Sequence, residues 1–161
     1  MNSAIEVDST TDHEYLTFTL GAEEYGVDIL KVREIRGIEH ITRLPDAPPF
    51  VKGVINLRGL IVPVVDMRLK FRLANATYDA TTVMIVIAVA GRTMGIVVDG
   101  VSDVLRLQRD QVRTVPDLGS AIDRKFFTGL GVVDERMLIL LDIEQLMSSE
   151  EMGLVQTAIA A

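Results

Sequence analysis

Acid–base chemistry needs carboxylates or imidazoles held close together, and the chain supplies Asp28, Asp66, Asp99, Asp103 and Asp142 with His13 and His40. No two of these form a recognisable pairing along the sequence. Asp66 and Asp142 each follow an apolar strand and open a helical spacing, so they read as N-caps that accept from orphan N–H groups of a first turn. Asp99-Gly100 reads as a strand end and turn, His13 as a residue of a polar tail and His40 as a loop residue. Metal ligation has no closely spaced Asp or His cluster to work with, and no cysteine. Gly95, Gly100, Gly129 and Gly131 are spaced as turn residues with no lysine-bearing phosphate loop among them. These observations predict no catalysis, no metal and no cofactor. A small-ligand binder or barrel enzyme would instead require a deep polar pocket holding two Asp side chains.

The most distinctive segment is Gly53-Val54-Ile55-Asn56-Leu57-Arg58-Gly59-Leu60-Ile61-Val62-Pro63-Val64-Val65-Asp66. Two apolar strands joined through Asn56 to Gly59 predict a hairpin with Arg58 projecting into solvent. An exposed arginine between apolar strands is a candidate contact residue, although a solubilising turn residue has the same signature. Pro63 cannot donate to a ladder and predicts an edge or a bulge.

These residues must be positioned by short strands. Tyr15–Leu20, Tyr25–Lys31, Ile41–Leu44, Lys52–Leu57 and Leu60–Val65 are β-branched-rich and bounded by Gly, Pro or Asn. A second set, Val83–Ala90, Met94–Asp99, Val112–Val115, Gly129–Val133 and Met137–Leu141, follows the same grammar. Landmarks recur in order: Gly21 with Gly91, Gly26 with Gly95, Val32 with Val101, Pro45 with Pro116, Gly53 with Gly129, and Asp66 with Asp142. The offset is 69 to 71 positions up to the proline and 76 beyond it, which places an insertion of about five residues in the polar segment 117–125. The copies diverge where Arg58 aligns with Asp134 and Pro63 with Ile139, so the two barrels are expected to present different faces.

Five short strands per copy predict two small barrels, about residues 15–75 and 80–142, within one domain spanning 15–147. A flexible tail (1–14) precedes it, and a C-terminal helix with a fraying end (143–161) follows. Modules this small are weakly stable alone, so the barrels are expected to pack together through Gly26–Ile35 and Gly95–Leu107, using Val27, Ile29, Leu30, Ile96, Val97 and Val98.

Composition narrows the partners. With 161 residues, 48% of them apolar and 24% charged, the chain can bury a core. Val83 to Ala90 is its longest wholly apolar run, far short of the roughly 20 residues of a membrane-spanning helix. Net charge is −7 and the 16 Lys and Arg are scattered, which argues against nucleic acid and against charge-driven membrane docking. The polar, acidic N-terminus carries no secretory pattern, and the lack of cysteine fits a reducing compartment, so a cytoplasmic location is expected.

Phe18-Thr19-Leu20-Gly21, Tyr25-Gly26-Val27-Asp28-Ile29, and the stretches Val32 to Gly37, Gly53 to Asp66, Gly95 to Val104 and Thr128 to Ile143 resemble the CheW family of bacterial chemotaxis coupling proteins. That resemblance covers all but the first and last dozen residues. It implies a mainly β fold of two packed SH3-like five-stranded barrels, and a non-catalytic adaptor linking transmembrane chemoreceptors to the histidine kinase CheA, cytoplasmic but recruited to receptor arrays. By match of motif, the receptor's cytoplasmic helical tip would contact Val32, Glu34, Gly53, Arg58, Val101 and Val104. The kinase's regulatory domain would contact Arg113, Asp117 and Leu118, with a second contact near Ile38 to Leu44, and pairing of similar barrels would allow self-association in rings.

Overall fold

The computed structural model describes residues 13–71, 73, 78–115 and 124–147. They form eleven strands: β1 (His13–Leu20), β2 (Glu23–Asp28), β3 (Val32–Gly37), β4 (Val51–Leu57), β5 (Leu60–Asp66), β6 (Val83–Val89), β7 (Arg92–Val98), β8 (Gly100–Leu107), β9 (Val112–Arg113), β10 (Phe127–Val133) and β11 (Arg136–Leu141). Two short helices, α1 (Met67–Lys70) and α2 (Ile143–Met147), follow β5 and β11. The fold is mainly β, built as two SH3-like barrels.

One sheet has the order β8-β1-β2-β11-β10-β9 and the other β3-β6-β7-β5-β4. Each sheet therefore takes its first hairpin from one copy of the repeat and its remaining strands from the other. The barrels do not divide the chain into 15–75 and 80–142 as the repeat suggested. The reason is the length of two connections. Only Asp99 separates β7 from β8, and one residue is too short to reverse a chain into an antiparallel neighbour. Between β2 and β3 lies a single 3-10 turn, Ile29–Lys31, which carries the chain across to the other sheet. Each displaced hairpin then pairs in parallel with the closing strand of the opposite copy, β2 with β11 and β7 with β5.

Strand alternation divides the apolar residues into three cores. Within the run Val83–Val89, Met84 and Val86 point into one barrel with Ile55, Leu57, Val62, Val64 and Val97, while Ile85 and Ile87 point the other way. The latter join Val65, Ile96 and Val98 of their own sheet and Leu16, Phe18, Leu20, Val27 and Leu141 of the other in one cluster between the barrels. This explains why β6 and β7 are apolar on both faces. Leu107, Leu138 and Leu140 fill the second barrel. Phe18, Tyr25, Phe71 and Phe127 make successive ring contacts at 5.9, 5.8 and 6.0 Å across the central cluster.

Several local expectations change. Instead of a strand over Ile41–Leu44 there is a single bridge, Thr42 to Val54. The segment from Tyr25 ends as strand at Asp28, and β3 and β8 are strands absent from the ten that the pattern predicts. Val27, Ile96, Val97 and Val98 are buried, but Leu30 is 82% exposed rather than part of the barrel contact. Both N-caps form: the Asp66 carboxylate accepts from the Arg68 N–H at 3.0 Å and the Asp142 carboxylate from the Gln145 N–H at 3.1 Å. The polar segment 117–123 and the residues beyond Met147 lie outside the described residues.

Candidate functional site: the β3 and β8 surfaces

The β4–β5 hairpin has a two-residue loop, Arg58-Gly59, with Leu57 opposite Leu60. Both loop residues have positive φ, 52° and 91°, as a primed turn requires for its twist to match the strands. The Asn56 side chain accepts from the Gly59 N–H at 2.7 Å and closes the turn. Arg58 is thereby held out from the sheet with its side chain 69% exposed. Its guanidinium donates to Glu34 on β3 at 2.6 Å, and Arg36 donates to the other Glu34 oxygen at 3.0 Å and to Glu39 at 2.9 Å. A bulge in the β3–β6 pairing between Val32 and Glu34 puts Val32, Glu34 and Arg36 on the half-buried side, with Arg33 and Ile35 exposed.

The other copy builds a related arrangement. Asp103 stands on β8 where Glu34 stands on β3, beside a bulge in the β1–β8 pairing. Its carboxylate accepts from the buried Thr17 hydroxyl and from Arg136, which also donates to Glu24 at 2.8 and 3.0 Å. Exposed apolar residues flank both ion-pair groups, with Ile35, Leu60 and Ile61 near the first and Val104 and Met137 near the second. In the repeat Ile35 corresponds to Val104 and Ile61 to Met137, so the two exposed surfaces are themselves copies. They differ at the hairpin tip, Arg58 in one and Asp134 in the other, and in the source of the pairing arginines, since Arg136 matches Leu60 and Arg36 matches Leu105.

Electrostatics follow the geometry. The Glu34 carboxyl is held below the ordinary glutamate range by the hydrogen bond from Arg58 and then that from Arg36. Asp103 is lowered first by Arg136 and then by Thr17. Because Arg58 is the first cause for Glu34, Arg58→Ala should raise the Glu34 pKa back toward the ordinary glutamate range. Carboxyl-resolved NMR titration reads this directly, and an unmoved Glu34 would mean the pair is not formed in solution.

Of the anticipated contact residues, Glu34 and Arg58 are joined directly, while Val32 and Val101 both pack against the inter-barrel core. Val104 is exposed on β8. Gly53 is buried inside a bulge of β4 at φ 141°, and a Cβ there would lie 2.0 Å from the Thr42 carbonyl oxygen. It shapes the strand instead of presenting a surface. Arg113 lies exposed on β9, donating to the Asp110 carbonyl at 3.4 Å. Asp117 and Leu118 lie outside the described residues.

The residue that sequence reasoning missed is Arg68. It is 2% exposed, and its guanidinium donates to both Asp66 oxygens and to Asp99, each at 3.0 Å, with the Tyr78 ring centroid 5.1 Å away. Two aspartates do converge, but on a guanidinium that fills the space between them, not on an open pocket. An arginine two positions after a capping aspartate carries no local signal of burial. Arg136, 35% exposed, was missed because its partners Glu24 and Asp103 lie on other strands. Among the described residues no group of three or more His, Asp or Glu is arranged to hold a metal ion, and no helix is long and apolar enough to cross a membrane.

Comparison with known proteins places these surfaces in context. The family model described as the CheW-like domain matches residues 14–151. The chemotaxis protein CheW of Klebsiella aerogenes is 56% identical over 146 residues, covering 91% of this chain and 88% of that protein. The CheW of Rhizobium meliloti is 38% identical, covering 86% and 89% respectively. The crystal structure of the scaffolding protein TtCheW from Thermoanaerobacter tengcongensis superimposes with a TM-score of 0.79 at 29% identity, covering 86% of this chain and 94% of that one.

Proposed function

The chain belongs to the CheW family, and from that premise we propose that it couples chemoreceptors to the kinase CheA as an adaptor with no chemistry of its own. The observation that carries this reading is the Glu34–Arg58 pair on a hairpin and strand that also expose Ile35, Leu60 and Ile61. An exposed arginine oriented by a carboxylate, on elements that also expose apolar side chains, has the make-up of an interface anchor. The receptor's helical tip would lay an apolar stripe against β3 and β8, with Val32, Glu34, Arg58, Val101 and Val104 as contacts, in the helix-in-groove mode. Gly53 would contribute through the shape of β4.

The kinase's regulatory domain would engage the β9 end, where Arg113 is exposed, together with Asp117, Leu118 and the neighbourhood of Ile38 to Leu44. The copied but differently charged surfaces support such use of two faces, and pairing of like barrels would extend to rings. The protein would act in the cytoplasm and gather at receptor arrays.

Arg58→His tests the separation of surfaces. In a pull-down with a receptor signalling domain and with CheA, receptor binding should fall at least about tenfold, as for loss of an anchoring arginine, with kinase binding retained. Equal loss of both by a folded variant would remove the two-surface idea, and failure of the wild type to bind either would remove the coupling role.

A further inference from the structure

Among the described strands the two sheets are linked covalently at two places, β2 to β3 through Ile29–Lys31 and β7 to β8 through Asp99, the other consecutive pairs lying within one sheet. Each link is met by the second residue of the helix that closes one copy. On α1, Arg68 donates to Asp99 at 3.0 Å. On α2, Glu144 accepts from Lys31 at 2.9 Å. Arg68 and Glu144 occupy matching places in the repeat and their partners fall within one position of matching, Lys31 aligning with Gly100 beside Asp99, with the charges exchanged.

Their surroundings are unequal. At the first link Arg68 is buried against Asp66, and Asp99 is tied both to the β1–β2 hairpin of one sheet and to the segment leading into β6 of the other. Its N–H donates to the Thr19 carbonyl at 3.0 Å, its carboxylate accepts from the Gly21 N–H at 2.7 Å, and its carbonyl accepts from the Thr81 hydroxyl at 2.9 Å. At the second link the Lys31 and Glu144 side chains are 29% and 62% exposed. The 3-10 turn that carries Lys31 has no buried residue and displays Leu30 to solvent. A buried, multiply bonded pair resists opening, whereas an exposed pair contributes little and is screened by salt.

We propose that the barrels are joined by an asymmetric hinge, with Asp99–Arg68 as the pivot and Lys31–Glu144 as a latch that opens. Opening the latch loosens the Ile29–Lys31 turn and the bulge that follows it, while Val32 stays packed on the shared core and β8 stays held through Asp99. The Ile29–Lys31 turn and the adjoining end of β3 are then the least protected backbone between the sheets. This concerns the isolated chain and stands apart from the partners proposed above.

Amide exchange of the full chain tests it, the Val32 N–H, which donates to the Ile29 carbonyl, being one reporter. Lys31→Glu and Glu144→Lys, made singly, should each accelerate exchange over residues 29–34 by about two- to fivefold, the range set by an exposed ion pair. Residues 98–103 should be unchanged. Raising salt should produce the same pattern in the wild type, and the double exchange Lys31→Glu with Glu144→Lys should restore protection. Acceleration at both links, at neither, or only around Asp99 would overturn the hinge, as would a double variant no better protected than the singles.

Discussion

Replacing Arg68 by alanine is expected to lower the unfolding free energy by about 3–5 kcal/mol, the range for breaking one side of a buried ion pair. The cost arises from what remains. Asp66 is 0% exposed, and without the guanidinium its carboxylate keeps the α1 N–H at 3.0 Å but loses the cation that compensates its burial. Asp99 loses the same donor at the link between β7 and β8. Against a total of about 5–15 kcal/mol for a domain, this is a large fraction. Chemical denaturation measures it. The double variant Arg68→Met with Asp66→Asn should recover most of the loss, because the charge is removed while asparagine keeps the cap. A single variant costing under about 1 kcal/mol would show that water reaches Asp66 when the arginine is gone.

Gly53→Ala is expected to cost about 3 kcal/mol or more, combining backbone strain with a steric clash. At φ 141° a side chain is strained wherever it points, and the added Cβ would meet the Thr42 carbonyl oxygen at 2.0 Å and its carbon at 2.7 Å. That carbonyl cannot retreat freely, because it accepts from the Val54 N–H at 2.8 Å while the Thr42 N–H donates back at 2.9 Å. The alanine must break this bridge or distort β4. Gly129, its counterpart, faces the Arg113 carbonyl in the same way, with a Cβ distance of 2.7 Å, so Gly129→Ala should destabilise through the same collision. Thermal melts of both variants give the comparison. If Gly53→Ala melted like the wild type yet lost receptor binding alone, Gly53 would be a contact residue. Loss of stability with both partners lost together would identify a residue that acts through the strand.

The Asn56–Gly59 turn, the capping role of Asp66 and Asp142 and the twofold repeat were all legible in the residues, because each depends on local backbone chemistry or on spacing. The N-caps need only a carboxylate ahead of a free N–H, and the turn needs residues that accept positive φ. Among the contacts, Arg58 could be named from its turn, but its carboxylate partner could not, since Glu34 lies on another strand and meets it only when β3 and the hairpin share a barrel.

Tertiary structure alone decided which copy pairs with which. The repeat identifies equivalent strands, yet a strand's N–H and C=O groups are satisfied equally by either copy's partner. The exchange followed from links too short to turn back. Burial of charge was decided in the same way: Arg68 in sequence is one scattered arginine among others, and only the packing of α1 against β7 beneath Tyr78 removes it from water. The chain by itself determined a small two-copy β protein. The folded arrangement determined that its two halves are interlaced and which carboxylate each buried or exposed arginine answers to, because those depend on contacts between residues far apart in sequence.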